Sequence, residues 1–270
     1  MTEHFDAVVV GSGFGGAVMS YRLAEAGLRV CLLERGKAYP PNSFARAPYQ
    51  MRNNFWDPSS GLYGMFNVWS FKGSGALVSS GLGGGSLIYA NILIRKDEKW
   101  FVDRKPGDRC YEEWPVTRAE LEEHYCRVER MMNAQKYPLG HDPYKTTEKT
   151  RAMQEAARKL NPEGKPGLEW LPLNLAVSFR TKHVAHPDAD DPANPPLVGA
   201  ALEEPFPNYH TVKAGRLMQR STCRLCGECD IGCNFGSKNT LDYTYISAAI
   251  HQRPHPAEVR ALCEVKRIAP

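Results

Sequence analysis

Apolar and polar positions over the first 36 residues fall into three blocks. Ala7-Val8-Val9-Val10 is an unbroken apolar run, the pattern of a parallel strand buried on both faces. From about Gly15 to Ala26 the residues Ala17, Tyr21 and Ala24 share one stripe, which predicts a helix, and Gly27 supplies its C-cap. Arg29-Val30-Cys31-Leu32-Leu33 is a second apolar strand ending at Glu34. The pattern predicts β-turn-α-β, the opening of an α/β domain.

Residues 37–80 are rich in Pro, Gly, Asn, Ser and aromatics and read as long loops, which inside a compact domain are usually functional. A glycine turn, Gly81-Leu82-Gly83-Gly84-Gly85-Ser86, leads into Leu87 to Arg95. Thr117-Arg118-Ala119-Glu120 is a capping box that opens a helix with Leu121, Tyr125, Val128 and Met132 on one stripe. Glu148 to Leu160 reads as another helix, and Leu173, Leu175, Val177 and Phe179 alternate as in a half-buried strand. His186 to Pro207 is a Pro- and Asp-rich loop, and Asp242 to Ile250 is helical. Glu258 to Ile268 reads as a strand, with Val259, Ala261, Cys263 and Val265 alternating. A central-type strand at the end of the chain, with nothing after it to cover it, is the expected mark of a truncated protein.

At 270 residues the chain can bury a sizeable core, and 42% hydrophobic with 24% charged residues is ordinary for a globular protein. The 34 Lys and Arg against 30 Asp and Glu are scattered and form no basic block, so nucleic acid is not an expected partner. No run approaches the roughly 18 apolar residues of a transmembrane segment. Met1-Thr2-Glu3-His4 carries no targeting signal, and a cytoplasmic location is expected.

The chemistry begins at Gly11-Ser12-Gly13-Phe14-Gly15-Gly16, a G-x-G-x-x-G set between strand and helix, with Glu34 closing the next strand 18 residues after Gly16. Gly11 permits the tight turn, Gly13 lets backbone approach a pyrophosphate, and Gly16 lets helix and strand pack closely. The helix N-terminus stabilises phosphate charge, and Glu34 accepts hydrogen bonds from ribose hydroxyls. NAD and FAD share this fingerprint. The second glycine turn favours FAD, whose isoalloxazine ring extends beyond the pyrophosphate and needs a second backbone segment beside it.

Gly11 to Gly36, taken with Gly81 to Asn91, resembles the glucose-methanol-choline (GMC) oxidoreductases, nearest their bacterial cholesterol-oxidase-like branch. Trp114-Pro115, Leu121, Tyr125 and Glu129, the run Gly232 to Leu241 and the strand through Val265 are similar as well. The resemblance implies a Rossmann-like, doubly wound FAD-binding core and oxidation of a CH–OH group, in an alcohol or sterol, by hydride transfer to flavin. The electron acceptor would be oxygen or an electron-carrier protein. By that resemblance Gly11, Gly13, Gly16 and Glu34 hold the ADP portion. Gly85, Ser86, Tyr89, Ala90, Asn91 and Ile92 run beside pyrophosphate and flavin, and the backbone of Val265 meets the adenine. Family members are longer than this chain and carry their catalytic His in the C-terminal half. None of His124, His141, His183, His186, His210, His251 or His255 matches that motif, so no catalytic base is assigned. The expected organisation is an FAD-binding core over 1–95, an irregular α+β substrate region over 96–220, a cysteine-rich loop and helix over 221–256, and a strand over 257–270 that returns to the core.

Cys223, Cys226, Cys229 and Cys233 give C-x2-C-x2-C-x3-C, the spacing of a ferredoxin loop, and are candidate metal ligands. Three readings stand open: an iron-sulfur cluster, which would make the chain a flavin/iron-sulfur electron-transfer polypeptide; tetrahedral zinc; or a reduced thiol loop. The usual following proline is Asn234 here. Cys31, Cys110, Cys126 and Cys263 lie in apolar patterns as ordinary core residues. Trp56, Tyr63, Phe66, Trp69 and Phe71 are expected to line an apolar pocket, cover a flavin or simply pack a long loop.

Overall fold

The computed structural model describes residues 3–103, 112–165 and 170–269. It opens with β1 (Ala7–Val10), α1 (Phe14–Glu25) and β2 (Val30–Leu33), close to the boundaries expected. The strands run parallel in register from Ala7↔Val30 to Val10↔Leu33. Fully buried Ala17 and Ala24 bring α1 close to the sheet, because a small side chain permits a short helix-to-strand distance. The helix stops where Gly27 adopts φ +84°, a left-handed conformation that strains any residue with a Cβ. Its N–H donates to the Ala24 carbonyl at 3.0 Å.

Residues 37–80 differ from expectation. They contain an antiparallel hairpin, β3 (Phe66–Phe71) and β4 (Ser74–Ser79), turning at Lys72-Gly73 with Gly73 at φ +81°. The hairpin buries neither face fully: Val68, Trp69, Phe71, Leu77 and Val78 are all exposed. A strand pair without one buried face writes no hydrophobic alternation into its sequence, which is why the composition read as loop.

After the second glycine turn, β5 (Ile92–Leu93) forms one edge of a small antiparallel sheet. The capping box closes, Thr117 N–H to Glu120 Oε2 at 2.7 Å and Glu120 N–H to Thr117 Oγ1 at 3.2 Å. The α-helix it announces, α2 (Glu122–Met131), begins only after an intervening turn. Then come β6 (Gln135–Lys136), α3 (Glu148–Leu160) and β7 (Asn174–Leu175), the last pairing with both β6 and β5. The alternation expected from Leu173 to Phe179 is not seen: Leu173 is exposed, Ala176, Val177, Ser178 and Phe179 are all buried, and the regular ladder ends at Leu175. The short helices α4 (Tyr209–Ala214) and α5 (Tyr245–Ile250) follow.

The chain returns as β8 (Glu258–Arg260), parallel to β2, and completes a Rossmann-like sheet of order β1-β2-β8. Only the first three residues of the expected strand pair; at Leu262 the backbone turns out of the ladder with φ +58°. A main core cluster joins Ala17 and Leu32 to Leu82, Met132, Ala176, Leu241 and Ile246, so distant stretches of chain share one interior. Full burial of a Leu or Ile there contributes about 2 kcal/mol. The expectation that β1 is buried on both faces holds on one only. Val9 packs against the core, while Val8 and Val10 are 56% and 57% exposed.

Candidate dinucleotide site

Two glycine turns interleave at the C-terminal end of β1. Gly11 has φ +88°, and a Cβ on Gly16 would lie 1.8 Å from the Gly11 carbonyl oxygen. Gly83 and Gly84 have φ +105° and +53°, and a Cβ on Gly84 would lie 2.6 Å from the Gly13 Cα. Backbone thus packs on backbone, which only glycine allows. On the other side, ideal Cβ positions at Gly13 and Gly15 meet nothing within 4 Å, so the turn faces open space. Gly13 caps α1 without a side-chain hydrogen bond, and the first turn carries no acidic residue. The N–H groups of that turn have no intrahelical acceptor, and with the helix dipole they form an anion site.

Glu34 is 5% exposed. Its Oε2 accepts hydrogen bonds from the Ser12 N–H at 2.9 Å and the Ser12 hydroxyl at 2.6 Å, and its Oε1 accepts from the Gly36 N–H at 2.8 Å. Ser12 Oγ in turn accepts from the Gly83 N–H at 3.0 Å. Ser12 therefore ties the first turn, the acidic residue and the second turn together. Sequence reasoning passed over it as the unspecified position of the glycine motif, where only its small size set it apart. Oε1, with one accepted hydrogen bond, keeps acceptor capacity for a ribose hydroxyl.

These residues line a cleft of about 410 Å³. Of the residues expected to hold a nucleotide, Gly11, Gly13, Glu34, Gly85 and Val265 line it together, brought from four separate stretches of the chain. Gly16 stands behind the turn as a spacer. Ser86 does not line the cleft. Fully buried, it donates to the Gly83 carbonyl at 2.7 Å and accepts from the Leu241 N–H at 3.0 Å, bracing the turn. Tyr89, Ala90, Asn91 and Ile92 also lie off the cleft wall. Tyr89 packs edge-on against Phe14, and its buried hydroxyl has no hydrogen-bond partner among the described residues. Asn91 adopts φ +61°. Arg35 and Glu264 continue the cleft into a second hollow of about 520 Å³ with Trp56 and Tyr63, where the Arg35 guanidinium lies 5.1 Å from the Trp56 ring. Trp69 and Phe71 of the expected aromatic cluster point to solvent instead. An anion site, a buried acid at the end of β2 and a cleft of ordinary ligand volume fit the ADP portion of a dinucleotide. No histidine lines either hollow. His210 is instead buried against Asp242, Nε2 to Oδ2 at 2.6 Å.

The cysteine run is placed differently from the metal-ligand expectation. Among the described residues no group of three or more His, Cys, Asp or Glu is positioned to hold a metal ion, and all four cysteines are described. This arrangement lends no support to a cluster or zinc site at Cys223, Cys226, Cys229 and Cys233. Positive φ at Leu225, Gly227 and Gly232 turns the loop repeatedly between them. Cys223 packs against the Tyr144, Val177 and Phe179 cluster, whereas Cys226 is exposed. Burial pushes the Cys223 thiol up to about 12 and raises Cys229 as well. Other groups hold the loop. Arg46 donates to Glu228 at 2.8 Å and to the Ile231 and Gly232 carbonyls at 3.1 and 2.6 Å. Asn234, at the position of the missing proline, accepts from the Phe44 N–H at 2.9 Å and donates to its carbonyl at 3.0 Å. Of the other cysteines Cys31 is buried, Cys126 and Cys263 are half-buried, and Cys110 lies outside the described residues.

Residues 9–39 match the model of an NAD(P)-binding Rossmann-like domain. Along most of its length the chain is similar to cholesterol oxidases. It is 30% identical to that of Mycobacterium tuberculosis over 249 residues, 92% of this chain and 38% of the relative. It is 29% identical to that of Acinetobacter baumannii over 242 residues, 90% and 38% respectively. A long-chain-alcohol oxidase of Arabidopsis thaliana is 31% identical over 113 residues, 42% of this chain and 13% of that protein. The chain thus spans about two-fifths of the length of the cholesterol oxidases it matches. The chain is similar, along most of its length, to the N-terminal part of cholesterol oxidases, and it carries the paired glycine turns on which the resemblance to GMC oxidoreductases rests.

Proposed function

We propose that the chain is the FAD-binding part of a GMC-type oxidoreductase that oxidises the CH–OH group of an alcohol or sterol. The observation that carries this reading is the interleaving of the two glycine turns through Ser12 and Glu34. A second backbone segment is thereby locked against the first, as a cofactor longer than ADP requires. In this reading Gly11, Gly13 and the first turn of α1 hold the pyrophosphate, Glu34 the ribose, and Val265 the adenine end. Tyr89 to Ile92 run beside the flavin. The bound flavin supplies the hydride acceptor, and this chain contributes its orientation and electrostatic surroundings. The names of the relatives support an alcohol or sterol as substrate. Their extra length agrees with the proton-accepting base lying outside the residues described above. No described helix is long and apolar enough to cross a membrane.

The test is to mix intact, flavin-loaded protein anaerobically with a panel of long-chain alcohols and sterols. Bleaching of the oxidised flavin band by a member of the panel is the expected result. Bleaching by a reduced nicotinamide and by none of the alcohols would overturn the proposal.

A further inference from the structure

Lys238 is 1% exposed, yet none of its hydrogen-bond partners is a carboxylate. Its ammonium donates to three backbone carbonyls: Leu87 at 2.9 Å, Tyr89 at 3.1 Å and Cys229 at 2.6 Å. An ammonium has three N–H donors and no acceptor, so the pocket uses every proton it carries. The same group lies 5.2 Å from the centre of the Tyr89 ring, within cation–π range. Burying a charge without a counter-ion costs several kcal/mol, so a plain packing position here would be filled more cheaply by Met or Leu.

Two of the three carbonyls belong to the segment that follows the second glycine turn. Across a trans peptide the carbonyl of one residue and the N–H of the next point in opposite directions. With the Tyr89 carbonyl turned to Lys238, the Ala90 N–H is aimed away from the lysine, and it makes no hydrogen bond among the described residues. The neighbouring positions are braced from the same stretch of chain, where the Leu241 N–H donates to Ser86 Oγ at 3.0 Å.

We infer that Lys238 is a positioning residue for the cofactor: by holding the Leu87 and Tyr89 carbonyls it fixes the course of residues 88–92 on the flavin side of the site. The inference rests on the reading above that FAD occupies the cleft. It separates the roles of two regions, since the ADP portion is held by the first turn and Glu34, which Lys238 does not touch.

The test compares FAD with ADP as ligands of the intact protein by calorimetric titration. Lys238→Met removes all three donors to the Leu87, Tyr89 and Cys229 carbonyls, releases residues 88–92, and is expected to weaken FAD about tenfold or more with ADP affinity unchanged. Lys238→Arg keeps the charge, and with it the fold, but no guanidinium nitrogen carries three protons; FAD is expected to weaken severalfold, again without effect on ADP. Equal weakening of both ligands would make Lys238 a structural support only and overturn the inference. Unchanged FAD affinity in both variants would overturn it too. If the parent protein binds ADP but no FAD, the cofactor reading itself fails, and that outcome is distinguishable because it appears before any substitution.

Discussion

The dinucleotide cleft and the cysteine loop are both irregular backbone held between regular elements, and both carry a spaced motif. They differ in what the motif residues do for the backbone. In the cleft the glycines are the structure: a side chain at Gly16 would collide with Gly11 of the same turn, and one at Gly84 with Gly13 of the facing turn. In the cysteine loop most of the hold on the backbone comes from residues outside the motif. Arg46, Asn234 and Lys238 capture the loop, and the thiols are distributed between an apolar cluster and solvent. A motif enforced by backbone geometry leaves no choice of residue, whereas a ligand motif becomes a site only if the fold brings its side chains together.

The contrast is broken most forcefully at Gly16. Gly16→Ala, whose Cβ would lie 1.8 Å from the Gly11 oxygen, should cost roughly 3 kcal/mol of stability, at the upper end of overpacking effects. Gly13→Ala, with open space at its Cβ, should leave stability within about 0.5 kcal/mol while weakening nucleotide binding. Denaturant unfolding and nucleotide titration of the pair measure this; similar stabilities for both variants would contradict the close packing of Gly16 on Gly11. Ser12→Ala comes next. It leaves the buried Gly83 N–H and a Glu34 oxygen short of a partner, and should cost about 1–3 kcal/mol. Parent-like unfolding of Ser12→Ala would remove Ser12 from the centre of the network.

In the cysteine loop, Arg46→Ala should destabilise by about 1–2 kcal/mol, because two carbonyls and Glu228 lose a partly buried donor. Cys226→Ser, at an exposed position, should stay within about 0.5 kcal/mol of the parent, and metal chelators should leave the melting temperature unchanged. Loss of stability in Cys226→Ser or with chelator, at the level of Arg46→Ala, would restore the thiols as ligands. The smallest effect is kinetic. Since the thiolate is the nucleophile, alkylation at mildly alkaline pH should label exposed Cys226 before Cys223, whose thiol burial pushes up to about 12. Peptide mass mapping over time gives the order, and Cys223 reacting first would contradict its placement.

Much of the fold was legible because it rests on local rules: the apolar run of β1, the stripe of α1, the stop at Gly27 and the acid ending β2 each have one structural solution. The parallel return at Glu258 was legible too, although only its first three residues stay in the ladder. The β3–β4 hairpin was not, because with apolar residues exposed on both faces its sequence lacks a period. Ser12 and Lys238 were invisible for another reason. Their partners, Gly83 for one and Leu87 with Tyr89 for the other, lie 71, 151 and 149 positions away, and nothing local records a contact at such separation.

The central claim is that the interleaved turns hold an adenine dinucleotide carrying a flavin. The direct measurement is to saturate the folded protein with an equimolar mixture of FAD and NAD, remove unbound ligand, release what remains with acid and identify it by mass. The account predicts FAD at about one per chain, with NAD absent, since one glycine-turn and acid site holds one dinucleotide. Recovery of NAD without flavin would contradict it.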